Sequence, residues 1–509
     1  MNRTTTTAET SSETTTATPP GSPPGSPPAQ TEVAPSPLWL RLAGAPLAPF
    51  STLSAVGLPP GTKWANWFAL ANALSWSIAL GAPLILYARS LGAGDALLGV
   101  LAAIPPLLVV LHVPGAHLLP RLGYRRMMIF GWGARSLVLL GVVATALFCH
   151  SPAARLFGLF LCIMIFSTVR GLAGGAWMPW VSELIPEDVR GKFFLRDQLF
   201  GQSGNFAAIL IAGAVLLGHP QPWQFAILFL LAATGGAVSV WCLTFVPDIA
   251  APPHTAAPPH IAAQQTPARN ATARAAIHDR PTGQPAERVS LPRMMRNKTF
   301  RRMCVFNVLY MLVLGALNVF TITYLRGVAG FSESAIVLCS GMAVFGGVLS
   351  LFWCGRVLDR AGSKPVMALS LLVFVLIFMA WWGLAGRALA PHPLTIGLLY
   401  TLMGMAGLNF AAANNRLQSL VIPRAGRNHY FAIFLVAVNG AAGLSPLTWG
   451  FILGGIGAYH TVTGAIQWNR YSIYFGCGTV MAAGLLLMLG GLTDKPVLET
   501  AAAAQKSNK

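Results

Sequence analysis

Gly355-Arg356-Val357-Leu358-Asp359-Arg360-Ala361-Gly362-Ser363-Lys364 is a basic, glycine-punctuated turn between two long apolar runs. It has a counterpart, Ala116-His117-Leu118-Leu119-Pro120-Arg121-Leu122-Gly123-Tyr124-Arg125, displaced by 239 residues. Two other matches share nearly the same displacement, 237 residues: Tyr87-Ala88-Arg89 with Tyr324-Leu325-Arg326, and Ile185-Pro186…Arg190…Phe194 with Ile422-Pro423…Arg427…Phe431. Three matches in one order, each at the end of an apolar run, imply a duplicated unit.

The runs between these turns dominate the composition. Apolar residues make up 54% and charged residues 10% of the 509, against about 25% charged in a soluble chain. Mean hydropathy is +0.61. The 34 basic and 15 acidic side chains cannot build a water-facing surface of this size. The protein is therefore an integral membrane protein, and soluble enzymes and nucleic-acid binders are excluded. The net charge of +19 is a matter of where the basic residues sit relative to the bilayer. The seven cysteines fall at irregular spacing in or beside apolar stretches. They read as buried thiols, with neither a disulfide framework nor a metal-binding pair.

Twelve apolar segments have the length needed to cross about 30 Å of hydrocarbon. Helices are expected over 65–88, 95–119, 127–149, 156–182, 197–218 and 223–246, then over 302–325, 333–356, 365–387, 393–421, 430–456 and 471–492. The chain divides into a disordered or interfacial tail (1–62), a six-helix bundle (63–247), a linker (248–299), a second six-helix bundle (300–494) and a C-terminal tail (495–509). Residues 1–35 are rich in Thr, Ser, Pro and Gly and lack the apolar core of a signal peptide. With both termini cytoplasmic, and the tails set aside, twenty Lys and Arg fall on the inner face. Five, Arg89, Arg155, Arg326, Arg387 and Arg470, fall on the outer face. This is a strong positive-inside bias, so a multi-pass protein of the cytoplasmic membrane with both termini inside is expected.

The 355–364 turn resembles the hallmark loop of the major facilitator superfamily, and the resemblance extends over both halves, from about residue 63 to 494. It implies an all-α fold of twelve membrane helices in two pseudo-symmetric six-helix bundles. It also implies a cytoplasmic gating motif, here Gly355, Asp359, Arg360, Gly362 and Lys364, with Arg121, Gly123 and Arg125 in the first half. Arg190 and Arg427 occupy equivalent places in the other duplicated loop. The first copy departs from the pattern, with Pro120 at the acidic position and Ala116 at the leading glycine. Arg170-Gly171-Leu172-Ala173-Gly174 is similar to the family's Arg-x-x-Gln-Gly motif, with Ala173 replacing glutamine. The family's antiporter signature, a Gly-Pro pair followed by two glycines, is absent from 197–218. The resemblance implies that helices 1, 4, 7 and 10 line a central cavity and that the halves rock about it.

Ionisable groups inside a membrane are functional candidates by default. Arg170 falls near the midplane, and Trp177, seven residues on, is expected on the same helix face. Arg416 is expected to share a face with Asn409 or to reach the cytoplasmic interface, while Arg135 is expected to pair structurally. Amides form stripes: Gln198, Gln202 and Asn205 in helix five, and Asn307, Tyr310 and Asn318 in helix seven. Asn72 with Trp76, Asn414 and Asn439 complete the candidate cavity set. Such side chains suit either interhelical hydrogen bonds or a hydroxyl-rich ligand. No acidic residue is expected at mid-depth, which gives classical proton coupling little support, although Glu183 keeps symport open. His112 and His117 read as satisfied membrane histidines, and the irregularly spaced linker histidines as bystanders. Asn270-Ala271-Thr272 and Asn297-Lys298-Thr299 match the glycosylation triplet by chance.

The expected function is secondary transport of a small polar solute, sugar-like or an organic anion, by alternating access. The alternative is a transport-inactive scaffold of the same fold that binds a pigment, lipid or partner protein. The expected partners are a small-molecule substrate and the lipid bilayer. Neither a cofactor, a metal nor an enzymatic activity is expected, and the chain is expected to be a monomer.

Overall fold

The computed structural model describes residues 61–185, 187–218, 220–248, 291–422, 427–464 and 466–492. The expected N-terminal tail up to residue 60, the linker over 249–290 and the C-terminal tail from 493 lie outside the described residues.

In lipid, a backbone must satisfy its polar groups internally, so apolar runs become helices. In the first half these are α1 (Thr62–Leu80 continuing as Ala82–Ser90), α2 (Asp95–Leu107, a 3-10 turn Leu108–Leu111, then His112–Leu122) and α3 (Tyr124–Phe148). They are followed by α4 (Pro152–Ala173, a 3-10 turn Gly174–Ala176, then Trp177–Leu184), α5 (Glu187–Val215) and α6 (Pro222–Leu243). The second half has α7 (Lys298–Leu314 continuing as Leu317–Gly327), α8 (Glu333–Ala361), α9 (Ser363–Ala385), α10 (Pro393–Val421), α11 (Arg427–Ile456) and α12 (Arg470–Met488). Eleven of these are long and apolar enough to span a membrane. The twelfth, α5, is 29 residues long but begins with charged residues and carries the Gln198–Gln202–Asn205 stripe.

The packing repeats with the sequence. α1 packs on α5 and α6, α3 on α4 and α6, and α2 on α4. In the same pattern α7 packs on α11 and α12, α9 on α10 and α12, and α8 on α10. The halves meet through α2 with α11 and through α5 with α8, two contacts related by the same duplication. Gly99 of α2 crosses α11 so closely that a Cβ there would meet the Pro446 carbonyl and Gly450. Gly123 and Gly362, 239 positions apart, each end one helix and begin the next, with φ of 74° and 84°. Both have nearly extended ψ, a region open essentially only to glycine. The duplicated turn is thus duplicated in backbone geometry as well as in sequence.

Three local differences from the sequence reading have plain causes. Leu291–Arg296 is helical and α7 starts at Lys298, so the end of the expected linker belongs to the second bundle. Asn297 explains the start: its side chain accepts hydrogen bonds from the Thr299 and Phe300 backbone amides, the N-cap role. Between α11 and α12, a hairpin of β1 (His460–Thr463) and β2 (Ile466–Asn469) pairs antiparallel, with Thr463 opposite Ile466. Its β-branched residues flank Gly464, whose φ is 65°, a hairpin signal in a stretch expected to be loop.

Candidate substrate cavity

A cavity of about 350 Å³ lies between the halves, within the usual size range of small-molecule sites. Its walls come from α1, α5, α7, α8 and α10. The polar lining is Ser77, Asn205, Asn318, Ser340 and Tyr400, with Trp76 as the large aromatic surface; no charged side chain is among the lining residues. The break in α1 shapes one wall. Gly81 takes an extended conformation (φ −89°, ψ −154°), and Ser77, Gly81 and Pro83 around it face the cavity. A discontinuous helix with Gly and Pro at its break is the usual way to expose backbone at membrane depth.

Arg170 does not line the cavity but stands behind Trp76, with its guanidinium carbon 4.2 Å from the indole centroid. Its Nη1 also donates to the Pro105 carbonyl oxygen of α2 at 3.4 Å. Trp177, expected on the same helix face, has other neighbours. The 3-10 turn Gly174–Ala176 breaks the helical phase, and Trp177 packs on Phe68, ring centroids 4.8 Å apart, and on Trp180. Asn72, one turn from Trp76, accepts hydrogen bonds from Arg135 and, at 2.9 Å, from Trp132 Nε1. Arg135 is buried, 1% exposed, between the rings of Trp132 and Phe166.

Of the helix-five stripe, Asn205 reaches the cavity and donates to Gln202 Oε1 at 3.4 Å, while Gln198 is exposed. The helix-seven stripe divides. Asn318 is on the cavity wall. Asn307 is buried and accepts from Asn414 Nδ2 at 2.7 Å, and Tyr310 stacks on Phe410 at 3.8 Å, joining α7 to α10 inside the second bundle. Asn439 donates to its own helix at Leu435, and Asn409 has a buried, unpartnered Oδ1. Arg416 is not among the residues that line the cavity; it donates to the Leu358 carbonyl, tying α10 to the end of α8 beside the hallmark turn. In the first-half copy of that turn, Arg125 donates to the Thr244 carbonyl after α6, and Arg121 is exposed. Arg360 and Lys364 both make contacts of their own. The side chains of Arg190, Asp359 and Arg427, and the surroundings of Gly355, lie outside the described residues.

One set of residues was not singled out by sequence. Asp95, at the start of α2, is 3% exposed and accepts from three side chains. Arg89 of its own half lies at 3.5 Å, Arg470 of the other half at 3.0 Å, and Tyr471 Oη at 3.2 Å. At the other contact between the halves, Ser334 near the start of α8 donates to the Gly213 carbonyl near the end of α5 at 2.6 Å. Glu333 repeats half of the arrangement, pairing with Arg326 at 2.5 Å but with no cation from the other half.

Residues 65–349 match the model of the Major Facilitator Superfamily. The chain belongs to that superfamily and is a multi-pass membrane transporter of its type rather than an enzyme. Its fold is similar to that of the nucleoside transporter NupG (15% identity, 85% of this chain and 99% of that one, TM-score 0.60). It is also similar to a D-xylose–proton symporter (15%, 85% and 97%, TM-score 0.63). A third similar structure is a POT family transporter in complex with 5-aminolevulinic acid (16%, 86% and 97%, TM-score 0.62). No curated protein matches the chain in sequence.

Proposed function

We propose that the chain moves a small polar solute across the cytoplasmic membrane by alternating access, with both termini in the cytoplasm. The observation that carries this reading is how the halves meet at Asp95 with a cavity between them. They are joined through Asp95 at one face and enclose a mainly apolar cavity into which two amides, three hydroxyls and an indole are set. A closed face above a central pocket is what one end of a rocking cycle requires. With the termini inside, the closed face is the outer one, and the cycle proceeds by separating Asp95 from Arg470 while the opposite ends converge.

Trp76, Asn205 and Asn318 are the proposed ligand contacts, and the turns at Gly123 and Gly362 the proposed cytoplasmic gate. The similar structures include proteins named for nucleosides, a pentose and peptides, all small polar solutes. Reconstitution in proteoliposomes tests the reading. Saturable uptake of a labelled solute is the expected result. Binding without flux would instead identify a scaffold.

A further inference from the structure

Two guanidiniums converge on one face of α1. Arg135 from α3 holds Asn72, and Arg170 from α4 covers Trp76, one helical turn away. Neither forms an ion pair. Asp95 is engaged by Arg89, Arg470 and Tyr471, and Glu183 accepts from Tyr124 at 2.9 Å. Asp197 makes no hydrogen bond or ion pair with either arginine, and its Oδ1 is without a partner. The Arg135 Nε is likewise buried without a hydrogen-bond partner. His112 does not supply a negative charge either: its ring sits against Gly174, one turn beyond Arg170.

An unpaired buried cation such as Arg135 is costly, and the half-buried Arg170 a turn further along α1 adds mutual repulsion. Aromatic faces offset part of that cost but bring no counter-charge. Trp76, which the Arg170 guanidinium backs, is itself on the cavity wall. The positive field of the first bundle therefore emerges at the Trp76 edge of a cavity whose own lining is uncharged.

We propose that the substrate is an organic anion whose carboxylate or phosphate docks at this edge. The assignment rests on the transport reading of the same cavity and narrows its substrate class. Arg170 supplies the field and, on a rotamer change past Trp76, a direct donor. Arg135 acts as a positioning residue, fixing Asn72 on the α1 face. Asn205 and Asn318 hydrogen-bond the remainder of the ligand, which is polar but neutral. A cation is disfavoured by the same field, and a neutral sugar leaves both charges uncompensated.

The test uses the full-length protein and five probes: lactate, succinate, glycerol 3-phosphate, D-xylose and uridine. Thermal unfolding is measured with each, and uptake of each is measured in proteoliposomes. The expected result is stabilisation by at least one anion and by neither neutral solute. Arg170→Gln raises the half-saturating concentration about tenfold or more, and Arg170→Lys restores most of the loss. Arg135→Gln weakens the anion response and Arg135→Lys recovers it, with the unliganded melting temperature reporting on folding. Response to the phosphomonoester over the carboxylates, or the reverse, identifies the docking group. Uptake of D-xylose or uridine alone, unaffected by Arg170→Gln, would overturn the anion assignment and leave transport standing. Arg170-dependent anion binding without flux would uphold the assignment and remove the transport reading. No stabilisation by any of the three anions would overturn the assignment.

Discussion

Asp95 of the first half and Arg470 of the second meet at 3.0 Å across the interface between the bundles. The carboxylate is fully enclosed, while the guanidinium keeps 29% of its exposure. Arg470 is held in place by its neighbours: Asn469 caps α12 and donates to the Ala385 carbonyl at 2.7 Å, anchoring the hairpin on α9. The latch is thus rigid on the second half and buried on the first.

Removing the charge should loosen this face. Asp95→Asn leaves Arg89 and Arg470 without their counter-ion, a loss on the order of 2 kcal/mol after discounting for the exposure of the arginines. Ala93→Cys, at a position now 2% exposed, should become reactive to a membrane-impermeant thiol reagent in that background. Glu333→Gln should not have this effect, because Arg326 belongs to the same half. Equal labelling in both backgrounds would contradict the latch.

The α2–α11 crossing should be intolerant of side chains. Gly99→Val must displace the Pro446 carbonyl or Gly450 and should cost about 2 kcal/mol or more in thermal unfolding. Gly94→Ala meets open space at φ −76° and should be near neutral. Similar melting temperatures for the two variants would mean that the halves do not touch there.

The twin turns should respond alike. Gly123→Ala and Gly362→Ala each force a side chain into a glycine-only conformation, at about 1–3 kcal/mol apiece. Matching losses in the two variants would reflect the duplication. A neutral result at either position would show that its turn relaxes.

The Asn307–Asn414 bond lies inside the second bundle, so its loss should show as stability rather than as substrate affinity. A double-mutant cycle with Leu at both positions should return a coupling of about 1 kcal/mol. An unchanged melting temperature with weakened ligand response would move both residues to the pathway.

Much of this architecture was legible in sequence. The duplicated turns at 116–125 and 355–364 located both bundles, because glycine at φ near 80° leaves a mark that substitution cannot imitate. Helical periodicity found the amides but assumed unbroken helices. The 3-10 turn at Gly174–Ala176 resets the phase between Arg170 and Trp177, and Arg170 meets Trp76 of α1 instead. Asp95 stands in the first turn of α2, where an acid is common for local reasons. Its partners Arg470 and Tyr471 lie in the last helix, and no local pattern signals a contact over that separation. The hairpin at 460–469 did carry its signal, in the Thr-Val-Thr and Ile-Gln-Trp runs around Gly464.

Spin-label distances measured on both faces test the pivoting of the halves most directly. One pair, Gly94→Cys with Tyr459→Cys, spans the face closed by Asp95; both positions are exposed. The other, Arg126→Cys with Pro365→Cys, uses exposed positions three residues after Gly123 and Gly362 on the opposite face. In lipid bilayers, with the native cysteines replaced, adding Asp95→Asn should lengthen the first distance and shorten the second. Distances that stay fixed, or that lengthen together, would contradict two bundles rocking about a central cavity.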